Sequence, residues 1–206
     1  KKGFENLLKK RELLLSFSEK SALNSLELNE NKELGIIACG IAGNYVLENM
    51  DLIKNKPTFL KISQYPLPKE KVSALYHHCQ KVLVVEEGYP LVEELLHDYF
   101  HIDQKIIGKL SGHLPMTGEL TPNLVAKALG LPQETPATVP EIVQGRPPRL
   151  CEGCGHTDLF NAINELLPEI GDKKVFGDIG CYALGVLPPL NTINTLIDMG
   201  ASITMA

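Results

Sequence analysis

LGIIACGIAGNYVLENM, residues 34–50, changes its periodicity half-way along. Leu34–Cys39 is an unbroken apolar run of strand length. After Gly40 and Gly43 the apolar residues return at helical spacing, through Val46 and Met50. A buried strand that feeds directly into a helix is the repeating unit of a parallel sheet. The pattern recurs downstream. Thr58–Ser63 (TFLKIS) reads as a second strand and Lys69–Gln80 as a helix. Lys81–Glu86 (KVLVVE) reads as a third strand, followed by a helix over Pro90–Phe100 with Leu91, Leu95, Leu96 and Tyr99 on one side. Gln104–Gly108 suits a fourth strand. Short alternation of this kind predicts an α/β domain with a mostly parallel sheet and helices on both faces, with Lys81–Val85 in the centre. TPNLVAKALG (121–130) closes the domain: Thr121 can cap a helix, Pro122 suits its first turn and Gly130 its exit.

Four stretches follow. Residues 1–29 form a lead-in helix and linker, with Phe4, Leu7, Leu8, Leu14 and Leu15 at helical spacing. The basic triplet Lys9–Arg11 leaves a membrane-surface helix open, but the pattern is that of an amphipathic helix packed on the next domain with its charges solvated. Residues 30–131 are the α/β domain. Residues 132–148 hold five of the fourteen prolines and read as an extended linker wrapping a surface. A new unit opens at residue 149, with a helix over Thr157–Leu167 and a strand beginning at Lys174–Phe176. No internal repeat is visible.

The composition narrows the function. The 206 residues are 44% hydrophobic and 22% charged, as in ordinary globular proteins. A net charge of −5 gives no general affinity for nucleic acid or anionic membranes. No apolar run is long enough to span a bilayer. Five cysteines, an odd number, do not make a secreted disulfide framework. The expectation is a cytoplasmic protein with thiols that are reduced or metal-bound. The chain opens on Lys1 and stops within the apolar run ITMA, as a piece of a longer protein would.

Several motifs invite over-reading. Gly40-Ile-Ala-Gly43 matches no nucleotide fingerprint and reads as a tight strand-to-helix turn. Glu86 and Glu87 end a buried strand, where α/β proteins place site residues, yet interface and capping roles fit equally well. His77 and His78 fall late in a helix and suit structural roles. Gly177-Asp178-Ile179-Gly180 resembles the opening of the magnesium–pyrophosphate motif of thiamine diphosphate enzymes. That motif needs an asparagine roughly 25–30 residues on, because magnesium takes octahedral oxygen ligands. Asn191 and Asn194 come too soon and residue 204 is Thr, so this Gly-Asp is not the metal motif.

The cysteines carry the sharper signal. Cys151, Cys154 and Cys181 are spaced C-x2-C-x26-C. Soft thiolates on one turn select zinc or iron–sulfur clusters, and His156 would complete a Cys3His zinc set. Two unmetallated cysteines around a glycine turn fit the spacing equally well.

RPPRLCEGCGH (146–156) and GDIGCYALGVLPPLNTINTLIDMGAS (177–202) resemble the thiamine-diphosphate half of the indolepyruvate:ferredoxin oxidoreductase alpha subunits, within the 2-oxoacid:ferredoxin oxidoreductase superfamily. GIIACGIAGNYV (35–46), YPLP (65–68), KVLVVEEG (81–88) and GELTPNLV (118–125) are similar to the transketolase-C-terminal-like domain of the same subunits. The resemblance implies the fold of that domain for 30–131 and the truncated start of a thiamine diphosphate-binding domain for 149–206. It implies oxidative decarboxylation of an aryl 2-oxo acid such as indolepyruvate to an acyl-CoA. Thiamine diphosphate and magnesium would be the cofactors, with iron–sulfur clusters passing electrons to ferredoxin. Partners would be ferredoxin, a second subunit, coenzyme A and the 2-oxo acid; nucleic acid and membranes are not among them.

Carried over residue by residue, Ile179, Gly180, Cys181 and Tyr182 contact thiamine diphosphate, as does a second loop, Met199, Gly200, Ala201 and Ser202. Cys151, Cys154 and Cys181 match three of the four ligands of a proximal iron–sulfur cluster. Glu152 departs from the family, many members of which carry proline there. No catalytic residue is assigned within this chain, whose family also uses a pyrimidine-binding domain, a magnesium motif and a ferredoxin-like domain; alone it is expected to be inactive. Three alternatives remain open: another 2-oxoacid:ferredoxin oxidoreductase, a non-oxidative thiamine diphosphate enzyme, and a non-enzymatic, metal-stabilised docking module.

Overall fold

The computed structural model describes residues 2–100, 104–133, 135, 137–143, 145, 147–171 and 174–206. A helix, α1 (Lys2–Lys20), and a three-residue strand, β1 (Ser25–Glu27), precede β2 (Asn31–Cys39), the strand built by the apolar run of residues 34–39. The chain continues through α2 (Ala42–Asn49), β3 (Pro57–Ile62), α3 (Lys69–His78), β4 (Lys81–Val85), α4 (Leu91–Phe100), β5 (Ile106–Ile107) and α5 (Pro122–Ala128). Thr121 caps α5: its side chain accepts a hydrogen bond from Leu124 N, with Pro122 in the first turn.

The five strands form one sheet in the order β1-β3-β2-β4-β5, parallel except for β1, which runs antiparallel along β3. Ile36 lies opposite Phe59 on one side and Leu83 on the other, and Ile37 opposite Leu60 and Val84. The middle place belongs to β2, not to Lys81–Val85, which is interior but flanked by the two-residue β5. Successive side chains of a strand point to opposite faces. Ile37, Leu60, Ile62, Val82 and Val84 pack on α3 and α4 through Val72, Leu75, Val92 and Leu96. Ile36, Ala38, Phe59, Leu83 and Val85 pack on the other side with Ala42, Val46 and Val125 of α2 and α5. Both faces are covered, which is why these strands are apolar throughout.

The lead-in helix departs from expectation. Phe4, Leu7, Leu8 and Leu14 of α1 are exposed, and Ser18 is its buried residue. Periodicity fixes which side of a helix is apolar but not what lies opposite it. The C-terminal end of α1 is held by polar contacts. Asn24 Nδ2 donates to Ser18 Oγ and to Gln64 O (2.9 Å each), while its Oδ1 accepts from Ser63 N and Gln64 N. Asn24→Ala would leave several of these groups without partners, at about 1–3 kcal/mol. The expected readout is faster hydrogen exchange and proteolysis confined to α1 and the loop after β3; unchanged protection there would refute it.

The chain divides into two compact units, Lys1–Pro136 and Ala137–Ala206. The second contains α6 (Gly155–Ile170), β6 (Phe176–Gly177), a 3₁₀ turn over Cys181–Val186, β7 (Thr195–Leu196) and α7 (Ala201–Met205). The α6 helix is longer than expected at both ends and carries Pro168 in its last turn. The strands β6 and β7 pair in parallel, Phe176 opposite Thr195. Among the described residues, no helix is long and apolar enough to cross a membrane.

Candidate functional site

The Cys-x-x-Cys segment is a turn. Cys154 N donates to Cys151 O (3.2 Å), and Gly153 takes a left-handed φ of 71°. The turn delivers the chain into α6, whose first residue is Gly155. Cys154 Sγ lies 3.2 Å from His156 Nδ1. His156 and Phe160 are one helical turn apart and therefore share a face of α6. Both rings meet Tyr182 edge-on: His156 at 4.5 Å between centroids and 82°, Phe160 at 6.1 Å and 85°. Phe160 is buried against Gly185, where a Cβ would stand 2.6 Å from its Cζ.

The two loops assigned to the cofactor also come together. Gly200 adopts a left-handed conformation and starts α7. Ser202 N at that start donates to Asp178 Oδ1 (2.9 Å), and Ile179 N donates to Asp198 O (3.4 Å). The hydrogen bond from Ser202 N holds the Asp178 carboxyl below its ordinary range. Met199–Ser202 is thus fastened beside Asp178–Ile179. Ile179, Tyr182, Met199 and Ile203 all leave apolar surface exposed there, and the Cβ positions of Gly180 and Gly200 face open space. Asp178 was set aside at the sequence level because it lacks a magnesium partner; its observed role is to join the two loops. The signal that could have found it is a carboxylate ahead of a helix start, but that start lies 24 positions on.

The thiols are not assembled in the same way. Cys151 and Cys181 are exposed and Cys154 is half-buried. Among the described residues, no three His, Cys, Asp or Glu side chains are grouped so as to hold a metal ion. Neither the three-cysteine set nor the Cys3His set exists as a preformed centre. The donor chemistry suits a thiophilic metal, but among the described residues these side chains are not grouped around a common point.

In the first unit the glutamates at the end of β4 are structural. Buried Glu86 accepts from Val92 N and Glu93 N (2.9 Å each) and so caps α4 with both oxygens. Burial pushes its carboxyl up, opposed by those two bonds. Glu87 accepts from Leu120 N (3.1 Å) and ties down the segment before α5. Burial, then the Glu86 charge, pushes the Cys39 thiol up to about 12, which leaves it unreactive. His77 Nδ1 lies 2.8 Å from Ser73 O, one turn back on the same helix, and His78 Nε2 lies 2.8 Å from Asn29 O, tying the end of α3 to the segment before β2; both are structural contacts.

Comparison with known proteins shows what the chain resembles. No family model matches the chain, and no solved structure does. Proteins named indolepyruvate oxidoreductase subunit IorA do. The Archaeoglobus fulgidus protein is 36% identical over 96% of this chain and 33% of its own length. That of Methanothermobacter thermautotrophicus is 34% identical over 95% of the chain and 34% of its own length. That of Thermococcus kodakarensis is 35% identical over 96% of the chain and 32% of its own length. The chain is similar to these IorA proteins over nearly its whole length. It spans about a third of the length of the curated relatives it matches. Since the IorA likeness runs over nearly the whole chain, both the parallel-sheet unit and the Cys-x-x-Cys unit fall within it.

Proposed function

We propose that this chain contributes two parts of a 2-oxoacid:ferredoxin oxidoreductase subunit of the IorA type: a transketolase-C-like domain over 30–131 and the opening of a thiamine diphosphate-binding domain over 149–206. The observation that carries the reading is the Asp178–Ser202 contact, which joins Ile179–Tyr182 to Met199–Ser202 along one open, apolar edge. Thiamine diphosphate, when bound, supplies the electron sink that lets a 2-oxo acid lose carbon dioxide. The residues of this chain orient and shield it. Ile179 and Met199 offer apolar surface that excludes water from its ring, and Gly180 and Gly200 keep side chains out of its way. Asp178 holds the two loops in register. Magnesium, coenzyme A, ferredoxin, a second subunit, a cytoplasmic location and an aryl 2-oxo acid such as indolepyruvate complete the proposal. No electron step is routed through Cys151, Cys154 and Cys181, which do not converge on a common centre.

The test is thiamine diphosphate binding, with magnesium, to the complete subunit carrying this stretch, together with its partner. Asp178→Ala should raise the Kd about five- to thirtyfold, the effect of losing one helix-capping carboxylate. Asp178→Asn, which keeps an acceptor oxygen, should recover most of it. A wild-type assembly that binds no thiamine diphosphate, or that does not decarboxylate 2-oxo acids, would overturn the reading.

A further inference from the structure

We infer that His156 is a positioning residue that couples the Cys151–Cys154 turn to the cofactor-facing loop, an inference that rests on the proposed role of Ile179–Tyr182. Two independent contacts carry it. On one side, His156 Nδ1 lies 3.2 Å from Cys154 Sγ, within reach of a sulfur hydrogen bond. On the other, the same ring stands edge-to-face with Tyr182 at 4.5 Å. A second edge contact, from Phe160 one turn further along α6, meets Tyr182 as well. Phe160 is itself immobilised, buried against Gly185 with no room for even a methyl group between them.

The two supports differ in kind. Phe160 offers Tyr182 a fixed wall. His156 is half-buried, at the first turn of α6, and its orientation is set by the sulfur it touches. Few side chains could do both jobs. Phenylalanine would supply the flat ring without the nitrogen, and asparagine the polar atom without the ring. The consequence is directional: whatever changes the Cys154 sulfur, whether ligation, alkylation or oxidation, shifts the ring that sets Tyr182. Conversely, a ligand that fixes Tyr182 fixes the ring beside Cys154. Cys151 takes no part in this relay, since its contact within the turn is through its backbone carbonyl.

Two readouts on the complete subunit with its partner test this: thiamine diphosphate affinity, and the rate at which iodoacetamide alkylates Cys154, followed by mass spectrometry with and without saturating thiamine diphosphate. In the wild type, saturation should slow alkylation of Cys154 about three- to tenfold, the range expected for one aromatic pair. In both His156→Phe and His156→Asn that protection should fall below about twofold, because each variant keeps only one of the two contacts. The affinity should drop about three- to tenfold in His156→Asn and less in His156→Phe, which retains the ring. Protection that persists in either variant would mean the cofactor shields Cys154 directly, and would overturn the coupling. A wild-type protein that binds thiamine diphosphate, beside variants that bind and protect identically, sinks the coupling alone. A wild type that binds none sinks the functional reading with it.

Discussion

Phe160→Ala is expected to unfold Ala137–Ala206 while Lys1–Pro136 stays folded. In the second unit Phe160 and Ile193 are the buried hydrophobic side chains among the described residues, whereas the first unit encloses its sheet between two apolar layers. Each of those two residues fills a space shaped by a glycine, Phe160 against Gly185 and Ile193 against Gly177. Truncating a buried phenylalanine costs about 3–5 kcal/mol. A well-packed domain holds only about 5–15 kcal/mol in all, and small units lie at the bottom of that range. The substitution therefore removes most or all of the second unit's margin. Hydrogen exchange should show the amides of α6 losing protection, while those of β2, β3 and β4 exchange as in the wild type. Even in the wild type, residues 149–206 should open faster than 30–131. Wild-type protection of α6 in Phe160→Ala would show that stability comes from elsewhere. Gly185→Ala supplies the opposite perturbation: the added methyl collides with the ring instead of vacating it, at about 1–3 kcal/mol.

The parallel sheet was legible because its strands are buried on both faces, so that apolar runs and the helical periods between them mark the elements directly. Strand order was not. The apolar cores of β2 and β4 differ little in character, and only the crossover from β3 over β2 puts β2 in the middle. The edge strand β1 is three residues, SLE, of alternating exposure, too short to leave a pattern. The amphipathic stripe of α1 was readable, but its exposure was not, since periodicity carries no information about a covering surface. At the candidate site the Cys-x-x-Cys turn and both glycine loops could be named from local motifs. The bond that joins the loops could not, because its donor is a backbone N–H, which has no residue signature. Whether Cys151, Cys154 and Cys181 meet was equally beyond spacing. The pairing of His156 with Tyr182 follows only once α6 is seen to start at Gly155 beside the 3₁₀ turn.

Glu86 should make the first unit most sensitive where an acidic residue looks least remarkable, at the buried end of β4. Glu86→Ala would remove the cap of α4 and strand the Val92 and Glu93 N–H groups away from water, at about 2–4 kcal/mol. Its pH dependence has a definite sign. Burial raises the folded-state value above the ordinary 4.5, despite the two N–H bonds and the Lys109 charge that oppose it. Below about 4.5 the carboxyl is protonated in both states, folded and unfolded. As pH rises, the unfolded chain releases its proton first, so the folded state holds more protons and stability falls with pH until the folded value is passed. The contribution of Glu86 is therefore fully present in acid and is lost as pH climbs through its folded value. Glu86→Gln retains one acceptor oxygen and cannot titrate, so this slope disappears. Urea midpoints measured from acid to neutral pH should show the gap between wild type and Glu86→Gln greatest at low pH and shrinking as pH rises. A gap that widens towards neutrality would mean that the ionised carboxylate is the form α4 prefers, and that the cap and Lys109 outweigh burial.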